Sequence, residues 1–154
     1  MTAPTEFSET VQKNTRPEVV AWLTDFVTRH GGFVGSVHLP AGEGELSLVA
    51  AYNLPPGVAN GAALVTVGKG MAGVTADRKA PVAITDLQTD TSGVARLPAR
   101  ASQSKGSVTV PVLTEDGQTV LAIIGMGFEA EREFTPEEIA LYTDEAKSVL
   151  DITG

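Results

Sequence analysis

The spacing of apolar residues changes along this chain of 154 residues, and this change limits the folds that it can adopt. Over residues 18–30, apolar side chains recur at i, i+1, i+4, i+7 and i+8, which is typical of one face of a helix. Pro17 fits the first turn of that helix, with Asn14 or Thr15 as the expected cap, and Gly31-Gly32 favours its end. The period then falls to two, which is the period of a strand.

Four stretches with the strand period form two close pairs. Residues 33–39 and 45–52 are joined by a short Pro- and Gly-containing loop, and residues 107–113 and 119–128 by an Asp-Gly turn. Shorter apolar stretches at 63–67 and 81–87 predict two further strands. In the second strand we expect Leu46, Leu48, Ala50 and Tyr52 to share one face.

The last helix has the clearest start signal in the chain. Thr135-Pro-Glu-Glu138 matches a capping box, with Thr135 as the cap and Pro136 at the first helical position. Two hairpins between a first and a last helix predict an α+β fold around an antiparallel sheet rather than a repeated βαβ winding. We expect residues 1–16 to be a flexible or helical extension and residues 17–154 to form one domain.

Composition removes several classes of function. The net charge of −8 argues against nucleic acid or an anionic membrane as partner, because both select for clustered positive charge. No apolar stretch approaches the roughly 20 residues of a membrane helix, and the polar start is unlike a signal peptide, so we expect a cytoplasmic protein. The absence of cysteine excludes disulfides, thiolate nucleophiles and thioether-linked chromophores in this chain.

The two histidines and the carboxylates give no catalytic or metal pattern. We expect His30 to end a helix, where it suits the helix dipole, and His38 to occupy a surface position of a strand. Asp86 and Asp90 alone make a poor cation cage, so a turn-forming role is favoured and no metal site is predicted. No nucleophile–base pattern stands out, so we expect no enzyme.

A glycine motif, Gly68-x-Gly70-x-x-Gly73, matches the dinucleotide-binding fingerprint in its letters. That site requires a long helix after a parallel strand, whereas the helical piece here is short and is ended by Pro81. The motif is therefore interpreted as a tight turn from strand to helix, for which glycine is permissive.

Seven pieces of the chain, in order and spacing, resemble a GAF domain. They are residues 48–54, 67–73, 80–87 and 106–112, the Asp116-Gly turn, and residues 120–125 and 134–138. The resemblance implies a six-stranded antiparallel sheet with the first and last helices on one face. On the other face it implies a small-molecule pocket under the loops and short helices of residues 58–105.

The chain departs from the specialised members of that family. Free methionine sulfoxide reductases are similar small GAF proteins, but their chemistry uses cysteines, and bilin-binding members also attach their chromophore through cysteine. The Asn-Lys-x-Phe-Asp-Glu signature of members that respond to cyclic nucleotides is absent. The sequence does not identify a cofactor.

Six residues are predicted to line the pocket: Tyr52, Met71, Asp86, Arg96, Arg100 and Thr109. We expect Arg96 and Arg100 to bind an anionic group, Asp86 to bind a hydroxyl or amine, and Tyr52 and Met71 to supply apolar contacts. Residues 88–105 have no clear period, which is typical of a functional or mobile segment.

Three functions remain open from the sequence. The first is a non-catalytic sensory module that binds an unidentified small molecule and signals through terminal helices, which also form a homodimer. The second is a ligand-free dimerisation or protein-interaction module, whose small residues Ala59, Gly61, Ala62 and Ala63 would form a collapsed roof. The third is a cysteine-independent enzyme.

Overall fold

The strands form a single six-stranded sheet in this computed structural model, which describes residues 5–89 and 104–153. They are β1 (Val34–Pro40), β2 (Glu45–Tyr52), β3 (Leu64–Thr66), β4 (Val82–Ile84), β5 (Ser107–Leu113) and β6 (Val120–Gly127). Their order is β3-β2-β1-β6-β5-β4, and every neighbouring pair is antiparallel. The predicted α+β class, both hairpins and the six strands are confirmed.

The helices of the described residues flank this sheet. They are α1 (Glu9–Asn14), α2 (Pro17–Arg29), α3 (Pro56–Gly61), α4 (Gly70–Arg78), α5 (Pro136–Ala146) and α6 (Leu150–Thr153), with a 3-10 turn at Lys147–Val149. Helix α5 begins with the predicted capping box: the Thr135 hydroxyl accepts from the Glu138 N–H at 3.1 Å, and the Glu138 carboxylate accepts from the Thr135 N–H at 3.1 Å.

The cap of helix α2 differs from the prediction. Pro17 is at the first helical position as expected, but the cap residue is Arg16 and makes no side-chain capping hydrogen bond. Asn14 and Thr15 are not available for that role, because they end helix α1. The Arg16 N–H instead donates to the carbonyl oxygen of Val49 at 2.8 Å, which joins the start of α2 to β2.

Helices α2 and α5, which are the two terminal helices of the prediction, share one face of the sheet, as predicted. Leu23 and Val27 of α2, and Tyr142 of α5, are buried in one apolar core with Val37 of β1 and Ile124 of β6. Gly35 brings α2 close, because a Cβ there would lie 2.5 Å from Val27 Cγ2. The opposite face is covered by α1, α3 and α4, which pack on Leu48, Leu46 and Ile123.

A β-bulge in β2 changes which residues share a face. Val37 pairs with Ala50 but His38 pairs with Leu48, so Val49 is the extra residue. Leu48 therefore packs under α3 with Ala59, whereas Ala50 and Tyr52 pack on the side of the terminal helices. The expectation that Leu46, Leu48, Ala50 and Tyr52 share one face is wrong for this reason.

The segment before α2 packs on the domain. Val11 of α1 is 4% exposed and contacts the cluster of Leu48 and Ala59. The Ser8 N–H donates to Asn60 Oδ1 at 2.7 Å, and Asn60 Nδ2 donates to the carbonyl oxygen of Glu6 at 3.1 Å. These contacts connect the first described residues to α3.

Candidate functional site

A cavity of about 380 Å³ lies on the face of the sheet opposite the terminal helices. Its floor is formed by strands β1, β5 and β6, and its roof by α3, β3 and the first turn of α4. The volume is within the roughly 300–1,000 Å³ that is usual for small-molecule sites.

Two hydroxyl groups flank a glycine on the cavity floor. Ser36 of β1 pairs with Gly125 of β6, which pairs with Thr109 of β5 on its other side. A Cβ at Gly125 would lie 2.9 Å from Ser36 Oγ and 3.6 Å from Thr109 Oγ1. A larger residue at this position would therefore fill the floor between the two hydroxyls.

A second row of the floor also has a glycine between a residue of β1 and a residue of β5. Val34, Gly127 and Ser107 are paired across β1, β6 and β5, and all three line the cavity. A Cβ at Gly127 would lie 2.7 Å from the hydroxyl oxygen of Ser104, which is 1% exposed. Glycine at position 127 is thus required for Ser104 to approach the sheet.

His38 forms part of the cavity wall and is 2% exposed. Its Nε2 atom lies 2.9 Å from the carbonyl oxygen of Ala62, whereas its Nδ1 atom has no hydrogen-bond partner among the described residues. Burial lowers the pKa of His38 to about 4, and the contact with Ala62 opposes this shift in part. The imidazole is therefore neutral at pH 7, and because a carbonyl oxygen only accepts, the proton is on Nε2.

The glycine motif builds the roof beside the cavity. Strand β3 ends at Thr66, Gly68 in the following turn has φ of 95°, and Gly70, the first residue of α4, has φ of 73°. A Cβ at Gly73 would lie 2.3 Å from the Thr66 carbonyl oxygen, so α4 packs directly on the end of β3. This confirms the interpretation of the motif as a strand-to-helix turn.

The described wall is largely apolar and carries little charge. Serine and threonine hydroxyls and the His38 imidazole supply most of its polar groups, and Lys69 is the single charged side chain among the lining residues that the structure describes. Such a wall suits a molecule with an apolar body and a few groups that form hydrogen bonds.

The structure brings only some of the predicted site residues together. Thr109 and Met71 both line the cavity, from the floor and the roof. Tyr52 lies on the other face of the sheet, because the bulge at Val49 reverses its side, and it packs on the core beneath the terminal helices. Tyr52 is therefore not among the described residues that line the cavity, although it was predicted to contact a ligand there.

None of the three charged residues that were predicted to bind a ligand is among the described residues that line the cavity. Asp86 is outside the cavity lining, and its Oδ1 atom accepts from the Gln88 N–H at 2.9 Å, which is a turn-forming role. Arg96 and Arg100 lie outside the described residues, as does Asp90. The two arginines remain predictions as ligands for an anionic group.

Sequence reasoning missed the most polar part of the site. His38 is buried rather than at the surface, because its ring lies under the roof, where Nε2 contacts the Ala62 carbonyl oxygen. Ser36 and Gly125 could have indicated the site from the sequence, because they are small residues within strands, where bulkier side chains are usual. His30 ends α2 as expected, and its ring lies between those of Phe26 and Tyr142 and contacts the Glu145 carboxylate.

The comparison with protein families decides the classification. The sequence profile of the GAF domain matches residues 15–144. This chain belongs to the GAF domain family. The GAF assignment agrees with the six-stranded sheet, with α2 and α5 on one face and the cavity on the other.

Solved structures similar to this GAF domain include both reductases and domains of larger proteins. A type II free methionine-R-sulfoxide reductase from Thermoplasma acidophilum has a TM-score of 0.67 at 14% identity, with 90% of each chain covered. The GAF domain of an Acinetobacter phosphoenolpyruvate-protein phosphotransferase has a TM-score of 0.66 at 14% identity, over 85% of this chain and 75% of that one.

A third similar structure is a free methionine-R-sulfoxide reductase from Neisseria meningitidis in complex with its substrate. Its TM-score is 0.59 at 18% identity, with 98% of this chain and 95% of that chain covered. At these identities the three likenesses show a shared fold. No curated protein matches the sequence.

Two other kinds of site are absent from residues 5–89 and 104–153. No helix there combines the length and the apolar character that crossing a bilayer requires. No group of three or more His, Cys, Asp or Glu side chains in this part of the chain is placed to hold a metal ion.

Proposed function

We propose that this GAF domain is a non-catalytic sensory module that binds a small molecule in the cavity between the sheet and the roof. The observation that carries the proposal is a cavity of about 380 Å³ whose floor presents the Ser36 and Thr109 hydroxyls on either side of Gly125. Polar groups that converge in a mostly apolar cavity are the usual features of a small-molecule site.

The absence of cysteine favours binding over the chemistry of the similar reductases. The resemblance to GAF proteins implies that free methionine sulfoxide reductases use cysteine in their chemistry, and this chain contains no cysteine. The imidazole of His38 donates to Ala62 through Nε2, and burial lowers its pKa to about 4, which makes it a weak base for activating a nucleophile. A cysteine-independent enzyme remains the less favoured alternative.

Signalling through the terminal helices is supported by a continuous series of contacts. Ser36 on the cavity floor follows Gly35, whose Cα packs against Val27 of α2. Helix α2 is joined to the C-terminal helices, because Trp22 Nε1 donates to Ser148 Oγ at 2.8 Å. A ligand that binds two arrangements of these helices unequally would shift the population between them.

Partners of the terminal helices belong to the same proposal. We propose a cytoplasmic homodimer through these helices, with no nucleic acid or membrane as partner. Leu141 of α5 and Ile152 of α6 are 50% and 37% exposed, which also suits the alternative of a ligand-free interaction module. In that alternative the cavity would bind nothing.

Native mass spectrometry of the full chain tests the proposal, because one spectrum reports both a co-purified small molecule and the number of subunits. We expect an added mass on the wild-type protein that Gly125→Leu removes, since a leucine there would fill the cavity floor. Leu141→Gln is the matched control on the exposed face of α5 and should keep the added mass.

The two functions give different spectra. A dimer without any added mass, unchanged when a fragment collection is supplied, would support the interaction module and contradict ligand binding. An added mass that Gly125→Leu leaves in place would mean that the molecule binds outside the cavity.

A further inference from the structure

The unpaired nitrogen of His38 indicates the chemistry of the molecule that this cavity binds. Nε2 donates to the carbonyl oxygen of Ala62 at 2.9 Å, so Nδ1 carries a lone pair and no proton. Nδ1 is buried and has no partner among the described residues. A buried acceptor without a donor is costly, and in folded proteins nearly all such groups are paired with protein or ordered water.

His38 lines the cavity, and Nδ1 is the nitrogen of its ring that has no partner among the described residues. His38 is two residues after Ser36 on β1, so both side chains lie on the cavity side of the strand, and both line the cavity. The imidazole is held by the bond to Ala62 at the end of α3. This bond favours the ring orientation in which Nε2 is occupied and Nδ1 is free.

We propose that the bound molecule has an apolar body and a hydroxyl or N–H group that donates a hydrogen bond to Nδ1 of His38. This inference rests on the proposed function and specifies it, because it distinguishes donor-bearing molecules from ethers, thioethers and ionised carboxylates at this position. A carboxylate placed here would bring its lone pairs against that of Nδ1, since the imidazole is neutral at pH 7.

Matched probe pairs test the inference, because each pair differs in one donor. We would titrate the ¹⁵N-labelled full chain with 2-naphthol and with 2-methoxynaphthalene, and with indole and with 1-methylindole, and follow the amide signals of Ser36, Thr109 and Gly125. In the wild type the donor-bearing member should bind about tenfold more tightly, which is the upper range for one neutral hydrogen bond.

The variant His38→Gln separates the two ring nitrogens. A glutamine amide can still donate to the carbonyl oxygen of Ala62, but it has no acceptor in the place of Nδ1. The preference for the donor-bearing member should therefore fall to about onefold in His38→Gln. Because the extra methyl group of each ether or N-methyl probe is the same in both proteins, comparing the preferences cancels the effect of size.

A measurement on the wild type keeps the inference testable if His38→Gln does not fold. Selective ¹⁵N labelling of the two histidines resolves their ring nitrogens, with His30 as the internal reference. Addition of 2-naphthol should move the Nδ1 signal of His38 towards that of a protonated nitrogen and leave the Nε2 signal in place. Addition of 2-methoxynaphthalene should not move it.

The outcomes distinguish this inference from the proposed function. Equal binding of both members of each pair, or a preference retained in His38→Gln, would overturn the role of Nδ1 and leave ligand binding in the cavity standing. Failure of every probe to shift the cavity amides would overturn both.

Discussion

Nε2 of His38 lies 2.9 Å from the carbonyl oxygen of Ala62, so a residue in the centre of the sheet is joined to the end of the roof helix α3. The donor must be a protonated Nε2, and the imidazole is neutral because it is buried. This one contact both holds the roof over the cavity and leaves the other ring nitrogen as an acceptor. It therefore connects the stability of the fold to the chemistry of the site.

Acid should destabilise the protein through His38. Burial lowers the folded-state pKa to about 4, whereas the unfolded chain takes up the proton near the ordinary value of 6.5. The unfolded state therefore binds more protons between these values, so the free energy of unfolding should fall as the pH decreases from 6.5 to 4. The loss is at most roughly 3 kcal/mol, and urea unfolding at a series of pH values measures it.

The variant His38→Gln isolates that contribution, since every other ionisable side chain is the same in both proteins. The difference in unfolding free energy between wild type and variant should shrink as the pH falls through this range. Parallel curves for the two proteins would show that His38 does not stay neutral on folding.

Close contact between Gly35 and Val27 should limit what position 35 accepts. The Cβ of Gly35→Ala would lie 2.5 Å from Val27 Cγ2, so α2 must move, at a cost of about 1–3 kcal/mol in unfolding free energy. In Gly35→Ala/Val27→Ala the clashing methyl group is removed. Chemical denaturation of the four proteins should then give a double-variant loss smaller than the sum of the single losses.

Additive losses would contradict this packing. They would mean that the methyl groups at positions 35 and 27 do not compete for the same space, and that α2 lies farther from β1 than the structure places it.

Trp22 can serve as a spectroscopic probe of the position of the terminal helices, because it is the single tryptophan and donates to Ser148 Oγ at 2.8 Å. With 5-fluorotryptophan incorporated, the chain should give one ¹⁹F resonance that shifts when a cavity-binding probe such as 2-naphthol is added. The sheet separates the probe from the indole, so a shift would indicate movement of the helices.

Ser148→Ala serves as the control for that measurement. It removes the acceptor of the indole N–H but touches no cavity residue, so it should change the ¹⁹F shift without changing probe affinity. A wild-type resonance that stays fixed while the amides of Ser36 and Thr109 shift would contradict signalling through these helices.

The capping box of α5 should contribute to stability in a simple way. Thr135→Ala removes the hydroxyl that accepts from the Glu138 N–H, which should lower the unfolding free energy by about 1 kcal/mol. Thr135→Ser keeps that hydroxyl and should recover most of the loss in thermal unfolding. Equal stability of Thr135→Ala and the wild type would show that solvent caps the helix as well as Thr135 does.

Much of the fold could be predicted from local patterns. The capping box at Thr135, Pro17 at the first turn of α2 and the Asp-Gly turn each specify a backbone geometry through residues close in sequence. The placement of both terminal helices on one face was predicted from the resemblance to GAF domains. The strand order was not predicted, because no short-range pattern encodes which strands meet.

The site was harder to predict because it depends on contacts between distant segments. A single extra residue, Val49, moves Tyr52 to the opposite face, and strict alternation gives no sign of it. The burial of His38 depends on α3 and Ala62. This segment is rich in small residues, and nothing in their sequence pattern indicates which side chain they cover. Thr109 and Met71 were found because each is adjacent to a recognisable strand or turn.

The central claim, that a small molecule binds between the sheet and the roof, is tested most directly by intermolecular NOEs with bound 2-naphthol. The account predicts NOEs from the probe to the methyl groups of Met71 and Thr109, which face the cavity from roof and floor. NOEs to the exposed methyl groups of Leu141 and Ile152 instead, with none to Met71 or Thr109, would contradict it.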